Sequence, residues 1–178
     1  DGDRAFAFYE TGAGGGGAHA SGDGMDGVHV HMSNTLNTPV EVLETAYPLR
    51  VRRYALRPGS GGAGEHRGGL GLRRDIAVRG DTAFSLLADR HRHAPYGLAS
   101  GADGTTGAAF LLPGGDGDVD TDGERLPPKT TLELSPGDLV SIRSPGGGGY
   151  GAPEDRAATA IERDLRLGKL SADAARER

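Results

Sequence analysis

Four glycine clusters punctuate this chain: residues 12–17 (GAGGGG), 59–64 (GSGGAG), 68–71 (GGLG) and 146–151 (GGGGYG). Glycine allows positive φ and close approach of one backbone to another, at a cost in ordering entropy. Such runs are either tight loops or flexible ones. Here they separate short apolar segments, which reads as ordered loops joining short strands. The 32 glycines among 178 residues stand well above the usual share of about 7%. A chain of this length holds one domain, or little more, with a core of its own.

The segments between the clusters carry mostly strand patterns. Residues 4–10 read as a strand entered from a turn at Asp1 to Asp3. Val28, Val30 and Met32 alternate with His29, His31 and Ser33, the period of a half-buried strand. Thr38 as N-cap, Pro39 at the first helical position and Glu41 three residues after the cap predict a short helix ending before Pro48. Residues 50–56 return to a strand. Residues 72–79 and 82–89 flank Gly80-Asp81, which predicts a hairpin. Further strands are expected at 108–112, 130–134 and 139–144, the last two joined by Pro136-Gly137-Asp138. Residues 154–167, rich in Ala, Arg and Glu and followed by Gly168, predict a helix with a glycine stop, and Ser171 opens a shorter one. The expected fold is mainly β (α+β): short antiparallel strands in one or two sheets, Gly-rich loops and a helical C-terminal tail. Residues 1–152 form the β-rich part and 153–178 the tail.

Chemistry concentrates between residues 23 and 38. On a strand, His29 and His31 would share a face roughly 7 Å apart, with Asp23 and Asp26 upstream as carboxylate partners. Such a set either binds a divalent cation or moves protons; the plainer reading is polar residues on an edge strand. Asn34, Thr35, Asn37 and Thr38 supply neutral donors and acceptors suited to a substrate with several carbonyls and ring nitrogens. They are also ordinary turn and cap residues.

Other motifs point nowhere specific. Gly12-x-Gly14-x-x-Gly17 matches the dinucleotide fingerprint, but no helix follows and no βαβ unit surrounds it. No GxxxxGK[ST] loop is present. Asp118-x-Asp120-x-Asp122-Gly123 resembles the start of a calcium loop, yet Lys129 stands where glutamate is needed, so it reads as a solvated acidic loop. Arg90-His91-Arg92-His93 either grips an anion or caps a strand end at the surface. A net charge of -5 gives no electrostatic reason to expect nucleic acid or an anionic membrane. With no cysteine there is neither a disulfide framework nor a thiolate nucleophile. The apolar runs fall far short of the roughly 20 residues that span a bilayer, and a cytoplasmic location is expected.

Four stretches together resemble the hydantoinase B/5-oxoprolinase family: DGMDGVHVHMSNTLNTPVEVLE (23–44), YPLRVRRYALRPGSGGAGEHRGGLGLRRD (47–75), SLLADRHRHAPYGLASG (85–101) and LSPGDLVSIRSPGGGGYGAP (134–153). They occur in the family's order and cover nearly the whole chain. The resemblance implies a B-type subunit working with an A-type subunit or domain that binds ATP. Together they open cyclic amides such as 5-oxoproline or hydantoins; related assemblies carboxylate ketones. Since family subunits are several times longer and this chain opens DGDRAFAFYE without a methionine, it is expected to be part of a larger subunit. On this reading Asp26, His29 and His31 are the candidate catalytic residues, and Asn34 and Asn37 the candidate substrate contacts. ATP belongs to the partner. The resemblance allows a divalent metal ion but places no ligand for it here. The alternatives are a non-catalytic module that builds the subunit interface and a subunit of a related ATP-dependent ketone carboxylase.

Overall fold

The computed structural model describes residues 5–30 and 33–176. Helix α1 (Val40–Ala46) leads into strands β1 (Leu49–Leu56), β2 (Leu72–Val78), β3 (Thr82–Leu87), β4 (Ala108–Leu112), β5 (Glu124–Arg125), β6 (Lys129–Leu134) and β7 (Leu139–Arg143). Helices α2 (Ala158–Arg166) and α3 (Ala172–Arg176) follow. All pairings are antiparallel, giving a five-stranded sheet in the order β1-β2-β7-β4-β5 and a second sheet of β3 and β6. The mainly β reading with a helical C-terminal segment therefore holds. None of the helices among the described residues is long and apolar enough to cross a membrane.

Alternation along the strands gives the larger sheet two working faces. Registers Leu49↔Val78, Val51↔Ile76 and Ile76↔Val140 put one apolar row on the same face. That row packs with Leu43 of α1 and with Leu132, Leu134 and Phe84 of the small sheet. On the opposite face Ala77, Leu139, Leu112 and Phe110 are covered by Val119 from the loop between β4 and β5. Asp120 of that loop binds Arg73 at 2.8 Å and also pairs with Arg143. The acidic run is thus tied to the sheet rather than simply solvated.

Beyond the open end of the sheet, the glycine clusters lie against one another as a buried layer of backbone. The N–H of Gly147 donates to the Gly69 carbonyl (2.9 Å), that of Gly69 to Gly16 (2.8 Å), that of Gly16 to Met25 (2.9 Å) and that of Gly62 to Gly147 (2.9 Å). Buried peptide groups must be paired, and here the loops pair one another. A Cβ on Gly147 would overlap the Gly16 carbonyl, which is why these positions carry no side chain.

Several local expectations are corrected. Residues 5–10 form no strand; Phe6 and Phe8 instead pack their rings on Tyr47, at centroid distances of 5.9 and 5.3 Å. Val28 makes a single bridge to Gly14, and Val30 is 55% exposed, so no strand extends through residues 28–30. The partner there is a glycine loop, which offers no neighbouring strand to continue the ladder. Met32 and His31 lie outside the described residues. The cap of α1 is Pro39, whose side chain has no acceptor to offer the first turn, and the Thr38 N–H that Glu41 would accept in a capping box goes to Glu10 Oε1 at 2.7 Å. Strands β2 and β3 exist but form no hairpin: both edges of β2 are filled, by β1 and β7, and β3 pairs with β6. The tail helix α2 starts at Ala158, after a single 3-10 turn at Pro153–Asp155, and Gly168 stops it at φ 66°.

Candidate functional site

The segment 23–38 runs from the glycine layer to the start of α1, and its two ends are held differently. At the start, Gly24 donates its N–H to the Arg67 carbonyl (2.7 Å) and Gly27 to the Leu70 carbonyl (2.9 Å), zipping the segment onto residues 67–70. Asp26 then accepts the Leu70 N–H (2.8 Å) and Arg67 Nη1 (3.1 Å) on Oδ1, and pairs through Oδ2 with Lys169 Nζ (2.7 Å). Asp23 accepts the Arg67 N–H (2.8 Å), both terminal nitrogens of Arg156 (2.8 and 2.9 Å) and Arg163 Nη2 (2.9 Å).

These contacts belong to one network of three carboxylates and four cations. At its centre Asp164, with no exposed surface, accepts Arg67 Nε (3.2 Å) and Arg156 Nη2 (2.7 Å) on the same oxygen. Burial raises the Asp23 carboxyl, but the hydrogen bonds from Arg156 and the Arg67 N–H and the charges of both arginines outweigh it, lowering it to about 2. For Asp26 burial acts in the same upward sense, and Lys169, the Leu70 N–H and Arg67 lower it overall. An open cleft of about 380 Å³ lies beside the network, walled by Asp23, Glu65, His66, Arg156 and Arg163.

The far end carries the remaining candidates. His29 Nε2 stands 3.5 Å from the Thr35 hydroxyl. Asn34 is exposed. Asn37 donates to the Thr11 carbonyl (3.4 Å) and accepts the Tyr54 hydroxyl (3.1 Å). Tyr54 in turn lies under the Arg74 guanidinium, 5.0 Å from ring centroid to Cζ, and Arg74 pairs with Glu10. Burial lowers the titration of Arg74, and its Nε and Nη2 are buried without hydrogen-bond partners among the described residues. The structure thus places Asp26 at the anchored base of the segment and His29, Asn34 and Asn37 further along it. His31 lies outside the described residues.

Arg74, Arg156 and Asp164 stand in no local motif, whereas Arg67 belongs to Glu65-His66-Arg67 between two glycine runs, which by sequence reads as a mobile anion-binding loop; the structure instead buries Arg67 between Asp26 and Asp164. Their partners lie far off along the chain, Asp23 and Arg156 being 133 positions apart, and local spacing carries no trace of such pairs. Among the described residues no three His, Asp or Glu side chains gather to hold a metal ion. The glycine loops do not fit a nucleotide phosphate either, since the N–H groups of Gly16, Gly62, Gly69 and Gly147 are spent on neighbouring carbonyls. The cradle in a phosphate-binding loop needs those groups free.

Against known proteins, the family model described as Hydantoinase B/oxoprolinase matches residues 1–153. An uncharacterized protein of Methanocaldococcus jannaschii is 45% identical over 172 residues, 96% of this chain and 29% of that protein. The protein named 5-oxoprolinase 1 from Arabidopsis thaliana is 40% identical over 153 residues, 85% of this chain and 12% of its own length. The chain therefore spans less than a third of either relative. Among solved structures, the ATP-dependent caprolactamase from Pseudomonas jessenii superposes with a TM-score of 0.78 at 29% identity, covering 92% of this chain and 29% of that one. The same stretch that builds the two sheets and the glycine layer is the stretch matched by the family model, and the chain belongs to the Hydantoinase B/oxoprolinase family.

Proposed function

We propose that this chain is part of the B-type subunit of an ATP-dependent assembly that opens cyclic amides such as 5-oxoproline or hydantoins, in partnership with an A-type subunit or domain. The β-rich part, residues 1–152, would carry the chemistry and residues 153–178 its tail. Family membership and the activities for which the relatives are named support the class of reaction. ATP is assigned to the partner on the family's paired architecture, and the N–H groups of Gly16, Gly62, Gly69 and Gly147, already bonded to neighbouring carbonyls, agree with this.

The observation that carries the reading is the arrangement of segment 23–38: a polar stretch with His29 beside Thr35, anchored by Asp26 on a buried ion network. Histidine is suited to proton transfer at neutral pH because its ordinary pKa lies nearby. In this reading His29 and His31 move protons on the reacting amide, Asn34 and Asn37 hydrogen-bond its polar atoms, and Asp26 positions the segment through Arg67, Leu70 and Lys169. The test is ATP-dependent ring opening of 5-oxoproline and of hydantoin by the parent subunit with its A-type partner, comparing wild type with His29→Ala combined with His31→Ala. A fall in turnover of about a hundredfold or more with assembly intact is expected for loss of a positioned acid–base group. Unchanged turnover would place the chemistry elsewhere in the subunit.

One observation favours the alternative, a module whose main task is an interface. Strand β1 is the edge of the five-stranded sheet and is exposed over most of its length, and Tyr9 and Leu36 are 90% and 99% exposed. An exposed edge strand is a ready pairing surface, and exposed large apolar side chains suit an interface. On that reading the double histidine variant loses assembly rather than turnover.

A further inference from the structure

The ion network reaches across the limit of the family match. Asp23, Asp26 and Arg67 lie within residues 1–153, whereas Arg156, Arg163, Asp164 and Lys169 lie beyond it. Yet the two most enclosed charged side chains of the network, Arg156 and Asp164, come from the tail, with side-chain exposures of 1% and 0%. Main-chain groups are joined along the same route: Arg156 Nη1 also donates to the Glu65 carbonyl (3.0 Å), and the Gly59 N–H donates to the Lys169 carbonyl (3.0 Å). Opening the tail would expose Asp164 and leave Arg67 with Asp26 as its only carboxylate partner among the described residues, while Asp23 would lose both of its guanidinium partners. Charges buried together are held strongly only while all partners are present.

We propose that residues 156–169 act as a clamp on the candidate site: Arg156, Asp164 and Lys169 are positioning residues that fix Asp23, Asp26 and Arg67, and through them the base of the segment carrying His29. This rests on the reading of that segment as part of the reaction chamber. Asp164 organises the clamp by holding two arginines from different parts of the chain on one oxygen. Lys169 completes it from the end of α2 by closing on Asp26, with its own N–H held by the Asp164 carbonyl at 2.8 Å.

Lys169 is the place to test this, since it is partly exposed and its removal leaves both arginine pairs of Asp164 in place. Amide hydrogen exchange is compared in the intact protein, as wild type and as Lys169→Met, Lys169→Arg and Asp164→Asn. The clamp predicts exchange at least tenfold faster over residues 23–30 and 67–71 in Lys169→Met and Asp164→Asn, with β2 and β7 unchanged and Lys169→Arg restoring the wild-type pattern. Exchange that is unaltered at 23–30, or raised equally across β2 and β7, overturns the clamp. In the parent assembly with 5-oxoproline and ATP, Lys169→Met is expected to lower kcat about tenfold with KM nearly unchanged, and Lys169→Arg to recover it. Local loosening with full turnover would overturn the positioning role. Because exchange is measured without substrate, failure of the clamp and failure of the ring-opening assignment are read separately.

Discussion

Gly147 shows what one residue decides in this chain. Its N–H reaches the Gly69 carbonyl and its own carbonyl accepts the Gly62 N–H, while the side where a Cβ would stand is filled by the Gly16 carbonyl. Overlap with backbone cannot be relieved by turning a rotamer, so the loops must separate and their buried hydrogen bonds lengthen. Gly147→Ala is therefore expected to destabilise by about 3 kcal/mol, the upper part of the overpacking range. Gly17→Ala, four angstroms clear of any neighbour and within the same family of loops, should stay within roughly 0.5 kcal/mol. Urea unfolding of both variants checks this, and equal losses would mean that the layer is not close-packed. Glycine content alone signalled tight loops; which glycines touch was invisible, because Gly16, Gly69 and Gly147 are far apart in sequence. The same limit governed the charges. Asp23 and Asp26 stand out as neighbours and Arg67 as part of Glu65-His66-Arg67, whereas Arg156 and Asp164 have no local pattern to mark them, and nothing local pairs Arg67 with either carboxylate.

Elements were legible where the pattern is local and lost where the partner is distant. Strands β1, β2, β4, β6 and β7 fall within a residue or so of their expected positions, since alternation is a property of the segment itself. The hairpin failed because Gly80-Asp81 describes only a turn; which edge each strand takes depends on β1 and β7, and the registers Ile76↔Val140 and Val51↔Ile76 already occupy β2. The helix α1 is a case of tertiary packing overriding a weak element. It has seven residues, no side-chain cap and one fully buried side chain, Leu43, seated among Leu49, Val78, Leu134 and Val140. An isolated helix this short is unstable in water, so Leu43 holds it. Leu43→Ala is expected to cost about 2–5 kcal/mol and to loosen α1 selectively. Calorimetry gives the first and exchange at residues 40–46 the second; loss of stability without local loosening would mean that α1 is held by its flanking segments.

At the scale of the whole molecule, the tail is joined to the glycine layer by charge, and charge makes the joint sensitive to acid. The folded Asp23 carboxyl titrates at about 2, against an ordinary 3.8 in the unfolded chain. Between these values the unfolded state binds more protons than the folded one, so stability rises with pH. The contribution of Asp23 is thus fully present above pH 4 or so and lost as the pH falls towards 2. Asp26 and Asp120 are lowered as well and add to the same slope. Asp23→Asn removes one carboxylate from this sum. Its stability should lie below wild type at pH 5 to 7, with the gap narrowing through the window from about 4 to 2 and closing near its lower end. Urea midpoints measured every half pH unit from 2 to 7 would show this convergence. Parallel curves, with a constant gap at every pH, would mean that Asp23 stabilises through shape rather than charge. In that case the network would not couple the tail to residues 23–30 electrostatically, whatever its hydrogen bonds. Convergence would instead show that the charge of Asp23 stabilises the joint between the tail and the glycine layer, since its protonation weakens the pairs with Arg156 and Arg163 while Asp164 still holds Arg156.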